Sequence, residues 1–284
     1  MKRTPLNAPK LPISSTVWID ILNGVAGNEL ILGRGGDDVL QGEDGDDMLC
    51  SGDGNDIVTG NVGQDFIEGQ GGDDFVSGDY GFDTLNGDEG NDTVLGGRGI
   101  DEVNGGEGDD LVFGGIIDGA PLNLEELAEL RDGGSLEAIN GGLDMRDDSV
   151  GNVLSGGDGD DDLILGSGDM ADGNNGADTY HIMSEQNGDA AAMINNYVPA
   201  DDAVTIIVDD IETNEEIFVD DEDGDAVIRL GDDVLARVSG AAGTISATDI
   251  TLIDQGQVEA FFDQTQWLKC PLKLLIQLWQ TTRL

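Results

Sequence analysis

The sequence predicts an all-β fold: a parallel β-roll, a β-helix solenoid of nine-residue repeats, with a C-terminal β-rich cap and a short helical insertion. Three residue classes recurring in phase predict it. A glycine recurs every nine residues, at Gly27, Gly36, Gly45, Gly54, Gly63, Gly72, Gly81, Gly90, Gly99 and Gly108. An acid follows each by two positions: Glu29, Asp38, Asp47, Asp56, Asp65, Asp74, Asp83, Asp92, Asp101 and Asp110. Two further on stands an aliphatic residue: Ile31, Leu40, Leu49, Val58, Ile67, Val76, Leu85, Val94, Val103 and Val112. A second glycine precedes each repeat glycine by three places, as in Gly24, Gly33 and Gly42, with Ser51 the one exception. Units this short cannot bury an apolar face alone, so they stack on one another.

The repeat dictates both geometry and chemistry. Glycine tolerates positive φ and close backbone approach, so a G-x-x-G turn can curl its carbonyls inward. The acid two residues on adds a carboxylate to the same place. Carbonyls and carboxylates together form an all-oxygen cage, which suits a hard cation such as calcium. The remaining three residues make a short strand whose central aliphatic side chain points inward, since side chains alternate faces. Each unit reverses the chain once, so two units make one coil, and coils stack about 4.8 Å apart. One edge of the roll then holds Asp38, Asp56, Asp74, Asp92 and Asp110, and the other Glu29, Asp47, Asp65, Asp83 and Asp101. Carboxylates about 5 Å apart repel by roughly 3 kcal/mol at an effective dielectric near 20. That spacing is inside the Debye length of about 8 Å, so salt does not screen it. The stack therefore calls for several cations.

The unit G-G-x-G-x-D-x-U-x resembles the RTX, or hemolysin-type, calcium-binding nonapeptide repeat. Gly105-Gly106-Glu107-Gly108-Asp109-Asp110-Leu111-Val112-Phe113 matches it at every fixed place. The second glycine is the least kept: Val25, Arg34, Glu43, Asn61 and Asp88 fill that place. The candidate calcium ligands are the carboxylates of Asp38, Asp47, Asp56, Asp65, Asp74, Asp83, Asp92, Asp101 and Asp110. With them go the backbones of Gly36, Gly45, Gly54, Gly63, Gly72, Gly81, Gly90, Gly99 and Gly108, and in a second block Asp161 and Asp178. The resemblance implies secretion by a type I exporter through an uncleaved C-terminal signal, and hence an extracellular location.

Sixty acids stand against twelve bases, a formal net charge of −48, with 45 glycines. That balance argues against nucleic acid or an anionic membrane as direct partner. It predicts disorder without calcium and order with it. Cys50 and Cys270 are too few for a disulfide framework.

In chain order, residues 1–22 read as a leader and capping strand. The leader, Met1 to Ser15, lacks the apolar core of a secretory signal peptide. Thr16 to Leu22 enters the first coil, with Trp18 covering its open end. Residues 23–113 form the roll. Residues 114–155 are an insertion: Asn123-Leu124-Glu125-Glu126 caps a short helix running to Arg131, whose face of Leu124, Leu127 and Leu130 covers the roll or binds a partner. Gly141 to Ser149 reads as loop. Residues 156–181 resume the repeat irregularly, because Gly159 and Gly176 are 17 residues apart rather than two full units.

Residues 182–256 read as the β cap, with strands at Met193 to Val198, Ala203 to Val208, Glu216 to Asp220, Ala226 to Leu230, Val234 to Val238 and Ile245 to Ile253. Gly231-Asp232 makes a hairpin turn. The cap closes a coil end that would otherwise expose unpaired backbone. The tail, 257–284, holds Trp267, Trp279 and the Leu-rich run from Pro271. It is a helix packed on the cap, the secretion signal or an altered reading frame. No stretch reaches membrane-spanning length.

Residues preceding each inward aliphatic should face outward. The series Leu30, Val39, Met48, Ile57, Phe66 and Phe75 is apolar, which predicts early coils covered from within the chain or by a protein or cell-surface partner. H-E-x-x-H, G-x-S-x-G, P-loop and C-x-x-C motifs are absent, and His181, the sole histidine, suits a packed or surface role. The expectation is a secreted, non-enzymatic calcium-binding roll. Its alternatives are the RTX portion of a larger toxin or exoenzyme of hemolysin, protease or lipase type, and an adhesin or matrix component.

Overall fold

Because each unit reverses the chain, alternate repeats feed two parallel sheets that face each other. The computed structural model describes residues 12–15, 18–117, 145–184, 190–208 and 216–254. Among these the two sheets have twelve and ten strands. Partners lie eighteen residues apart: Ile31 on Leu49 on Ile67 in one sheet, and Leu40 on Val58 on Val76 in the other. The repeat aliphatics from Ile31 to Val112 fill the space between the sheets, each at most 1 % exposed. Burying each contributes about 1.5–3 kcal/mol.

The strands are longer than the three residues expected. Leu30–Gly35, Met48–Asp53 and Phe66–Gly71 each run six. Pairing resumes past the bend, with Arg34 on Gly52 and Gly35 on Asp53. The bend holds a left-handed backbone at the least-kept glycine place: φ is +77° at Arg34, +75° at Glu43, +72° at Asn61, +78° at Gln70, +68° at Asp79 and +77° at Asp88. Stacking imposes a glycine conformation on side-chain-bearing residues, at about 1 kcal/mol or more each.

The roll starts earlier than expected. Ile13–Ser14, inside the segment read as a leader, pairs with Ile31 and Leu32, and Ile21–Asn23 pairs with Val39–Gln41. Trp18 does not cover the coil end. It is 74 % exposed, on the bend joining these strands, with its backbone stacked on Gly36 at the edge of the roll.

The coil crosses the insertion in register, with Val103 on Leu154 and Val112 on Leu163. The insertion therefore leaves and rejoins at one edge. Met145–Arg146, in the stretch read as loop, pairs antiparallel with Ile116–Ile117 as its stem. The helix expected at Leu124 to Arg131 lies outside the described residues.

Beyond, Ala192–Asn195 and Ala203–Val208 extend the two sheets in parallel. Asp225–Leu230 and Asp233–Val238 form the expected hairpin about Gly231-Asp232, edged by Ile217–Glu222. The last strand begins at Ile250 rather than Ile245, because Ala247–Asp249 is a 3-10 turn with a capping box at Ser246.

The apolar outward series divides by sheet. Val39, Ile57 and Phe75 are at most 3 % exposed and share a second core with Leu95, Phe113, Ile117 and Met145. Met48 and Phe66, on the other sheet, are 46 % and 38 % exposed. The outward apolar residues are thus buried on one sheet and exposed on the other, while the helix and tail expected to cover them lie outside the described residues.

Candidate metal centre

Turns at the two edges place the repeat acids in line. On the first edge the Asp38 N–H donates to Asp56 Oδ1 at 2.6 Å, Asp56 to Asp74 at 2.7 Å, Asp74 to Asp92 at 2.7 Å and Asp92 to Asp110 at 2.8 Å. The line passes the insertion unbroken: Asp110 donates to Asp161 at 2.9 Å and Asp161 to Asp178 at 3.1 Å. On the second edge Glu29 donates to Asp47, Asp47 to Asp65, Asp65 to Asp83 and Asp83 to Asp101, at 2.7–2.9 Å. One carboxylate oxygen of each accepting aspartate thus holds the neighbouring coil.

The other oxygen points elsewhere. Oδ2 of Asp65, Asp74, Asp83, Asp92, Asp101, Asp110 and Asp161 is buried with no hydrogen-bond partner. Each lies against the glycine five residues earlier. A Cβ on Gly69 would sit 2.5 Å from both Asp74 Oδ2 and the Gly87 carbonyl oxygen of the next coil. Carboxylate and carbonyl oxygens therefore converge where only glycine fits. Ser51, the exception, is accommodated because its hydroxyl donates to the Gly69 carbonyl at 2.7 Å. The nine-residue glycines form a second carbonyl file: Gly36, Gly45, Gly54, Gly63, Gly72, Gly81 and Gly90 each turn their carbonyl toward the repeat glycine of the next coil.

Seven buried anionic oxygens without a donor are costly unless a cation meets them. The donor set is all oxygen, which fits calcium and fits zinc or copper poorly. Among the described residues no three acids converge closely enough to hold a metal by side chains alone. That agrees with sites built from one carboxylate per coil plus main-chain carbonyls. The acids of both edges would hold the ions, with calcium supplying the positive charge that stacking demands.

Burial, above all, pushes these carboxyls up: Asp38, Asp101 and Asp178 to about 6, Asp56, Asp65, Asp92 and Asp161 to about 7, Asp83 to about 8, and Asp110 to about 9. Asp74, central on its edge, goes to about 10, from burial first and then the charge of Asp56. In the unfolded chain an aspartate titrates near 4. A group raised on folding stabilises the fold below its unfolded value, and that stability is lost as pH rises through its folded value. Without calcium, therefore, acidification from pH 7 to about 4 is expected to increase β circular dichroism, protons replacing the cation. A chelated chain that stays unstructured at pH 4 would contradict this account of the edges.

Sequence reasoning missed several members of the lines. Asp20 donates to Asp38 Oδ1 at 2.7 Å ahead of the first block, and Asp178 donates to Asp202 at 3.2 Å beyond the second. On the second edge Asp101 donates to Asn152 Oδ1 at 2.9 Å and Asn152 to Asp169 at 2.8 Å. The signal was present as an Asp or Asn two residues before an inward apolar residue: Asp20 and Leu22, Asn152 and Leu154, Asp169 and Ala171, Asp202 and Val204. It was hidden because the glycines that the repeat places two and five residues before the acid are gone. His181 is packed, as expected, with ring nitrogens 2.7 Å from Asp162 Oδ1 and from Thr205 Oγ1.

The comparisons agree with this geometry. No curated protein matches the chain. The RTX calcium-binding nonapeptide repeat family matches in four copies, at residues 23–58, 51–85, 86–116 and 151–169. Over those residues the chain is a stack of RTX calcium-binding nonapeptide repeats.

Proposed function

We propose that this is a secreted protein that takes up several calcium ions along both edges of its roll, folds as it does so outside the cell, and serves as a structural or interaction module rather than an enzyme. The observation that carries the calcium reading is the file of buried carboxylate oxygens without a partner. Secretion through a type I exporter is supported by the RTX resemblance. An interaction role is supported by the open sheet, where Met48 and Phe66, with Val153 and Met170, leave apolar side chains at 38–47 % exposure. Among the described residues no helix is long and apolar enough to cross a membrane.

Equilibrium dialysis of the full chain tests the calcium reading. Several calcium ions per chain are expected at millimolar free calcium, and none of the same sites should fill with magnesium, which keeps its waters and demands a smaller octahedral cage. Equal uptake of the two ions, or no uptake of calcium, would overturn it.

A further inference from the structure

The second edge changes where the insertion rejoins it. In an ordinary coil one aspartate does two things. Asp101, for example, accepts the Asp83 N–H through Oδ1 at 2.9 Å and leaves Oδ2 bare beside Gly96. At the next coil Asn152 takes this place. Its Oδ1 accepts the Asp101 N–H, but its Nδ2 lies beside Gly114 and donates to the Gly114 carbonyl at 3.2 Å. An amide N–H thus stands where the repeats present an anionic oxygen, so this level needs no cation.

One coil further on, the two jobs are divided between two acids. Asp169 Oδ1 accepts the Asn152 N–H at 2.8 Å, and its Oδ2 accepts the Gly166 N–H at 2.7 Å, so both oxygens are partnered. The carboxylate lying against Gly166 belongs instead to Asp147, from outside the repeat. Asp147 is only 7 % exposed; its Oδ1 accepts the Ser149 N–H at 2.9 Å, and its Oδ2 is buried with no hydrogen-bond partner. Like the repeat acids it keeps one bare, buried oxygen, although the oxygen lying against Gly166 is its partnered Oδ1, and the carboxylate lies close enough to Asp169 for their charges to repel.

We propose that Asp147, together with Asp169, holds one further calcium ion past the break at Asn152, through a ligand that no repeat supplies. The ion pins the returning strand of the insertion to the roll. Asp148 makes a parallel tether without an ion, its Oδ2 accepting the Gly99 N–H at 3.0 Å from the preceding turn. The proposal rests on the calcium reading of the repeats.

The test is the number of calcium ions bound by the full chain at saturation, measured by dialysis for the wild type, D147N and D53N. Asp147→Asn keeps the oxygen that accepts the Ser149 N–H and removes the charge. Asp53 is an exposed acid outside both lines and serves as control. One ion fewer in D147N, with an unchanged number in D53N and the wild-type β signal in both, is the expected result. Asp147→Ser, whose hydroxyl can also accept that N–H, should behave as D147N does. Equal numbers in wild type and D147N would overturn this proposal while leaving the repeat sites intact. No calcium in the wild type would overturn the calcium reading itself. Failure of both Asp147 variants to fold in saturating calcium would also overturn the proposal, because a ligand beyond the break is not needed to form the coils before it.

Discussion

Transferred from millimolar calcium into excess chelator at pH 7, the chain is expected to lose most of its β circular dichroism and become sensitive to protease. Both should return cooperatively at about 10⁻⁴ to 10⁻³ M calcium, the range of extracellular modules. The reason is the balance at the edges. The inward aliphatics favour the roll, but each added coil brings another buried carboxylate against the last. Neighbouring acids at this spacing repel by roughly 3 kcal/mol per contact at an effective dielectric near 20. The bends at Arg34, Glu43, Asn61, Gln70, Asp79 and Asp88 add left-handed strain of about 1 kcal/mol or more each. Two bases, Arg34 and Arg98, are all that Asn23 to Phe113 contains. A typical domain is stable by only about 5–15 kcal/mol, so these terms suffice to open it. A fully formed roll in chelator, or restoration by magnesium at the same concentration, would refute the coupling.

Position along an edge sets the second large effect. Asp74→Ala is expected to raise the calcium midpoint far more than Glu29→Ala. Asp74 is fully buried, with Asp56 before it and Asp92 behind, and its loss also strips the Asp56 N–H of its acceptor. A buried donor left unpaired costs about 1–3 kcal/mol, before the lost charge is counted. Shared among several bound ions, a loss of about 3 kcal/mol raises the midpoint roughly threefold. Glu29 begins its line: its Oε2 accepts the Val25 N–H at 3.0 Å from its own turn. Asp74→Asn separates the two causes, since its oxygen can still accept the Asp56 N–H. Equal shifts for Asp74→Ala and Glu29→Ala would mean the sites are independent rather than stacked.

Much of this molecule was legible in one dimension. The nine-residue phase of glycine, acid and aliphatic residue determined the coil, the inward residues and the two lines of acids, because each coil touches only its neighbours and the period states who those neighbours are. The same locality explains why the D-x-U signal survives at Asp20, Asn152, Asp169 and Asp202 after the glycines have gone.

What the period could not state, the tertiary structure decided. Outward residues obey no local rule, so the sequence could not tell that Phe75 is covered and Phe66 open. Strand length depends on pairing beyond the bend, which forces Arg34 and Glu43 into a conformation their side chains disfavour. Trp18 and Ile13–Ser14 were misplaced because the first coil lacks the glycines that mark the others. The role of Asp147 depends on a contact with Gly166 nineteen residues away, across a break in the repeat. The sequence by itself determined the repeating contacts, which are short-range and periodic. The start of the roll, its covered face and the acid that rejoins it after the insertion depend on long-range packing, and only the folded chain decided them.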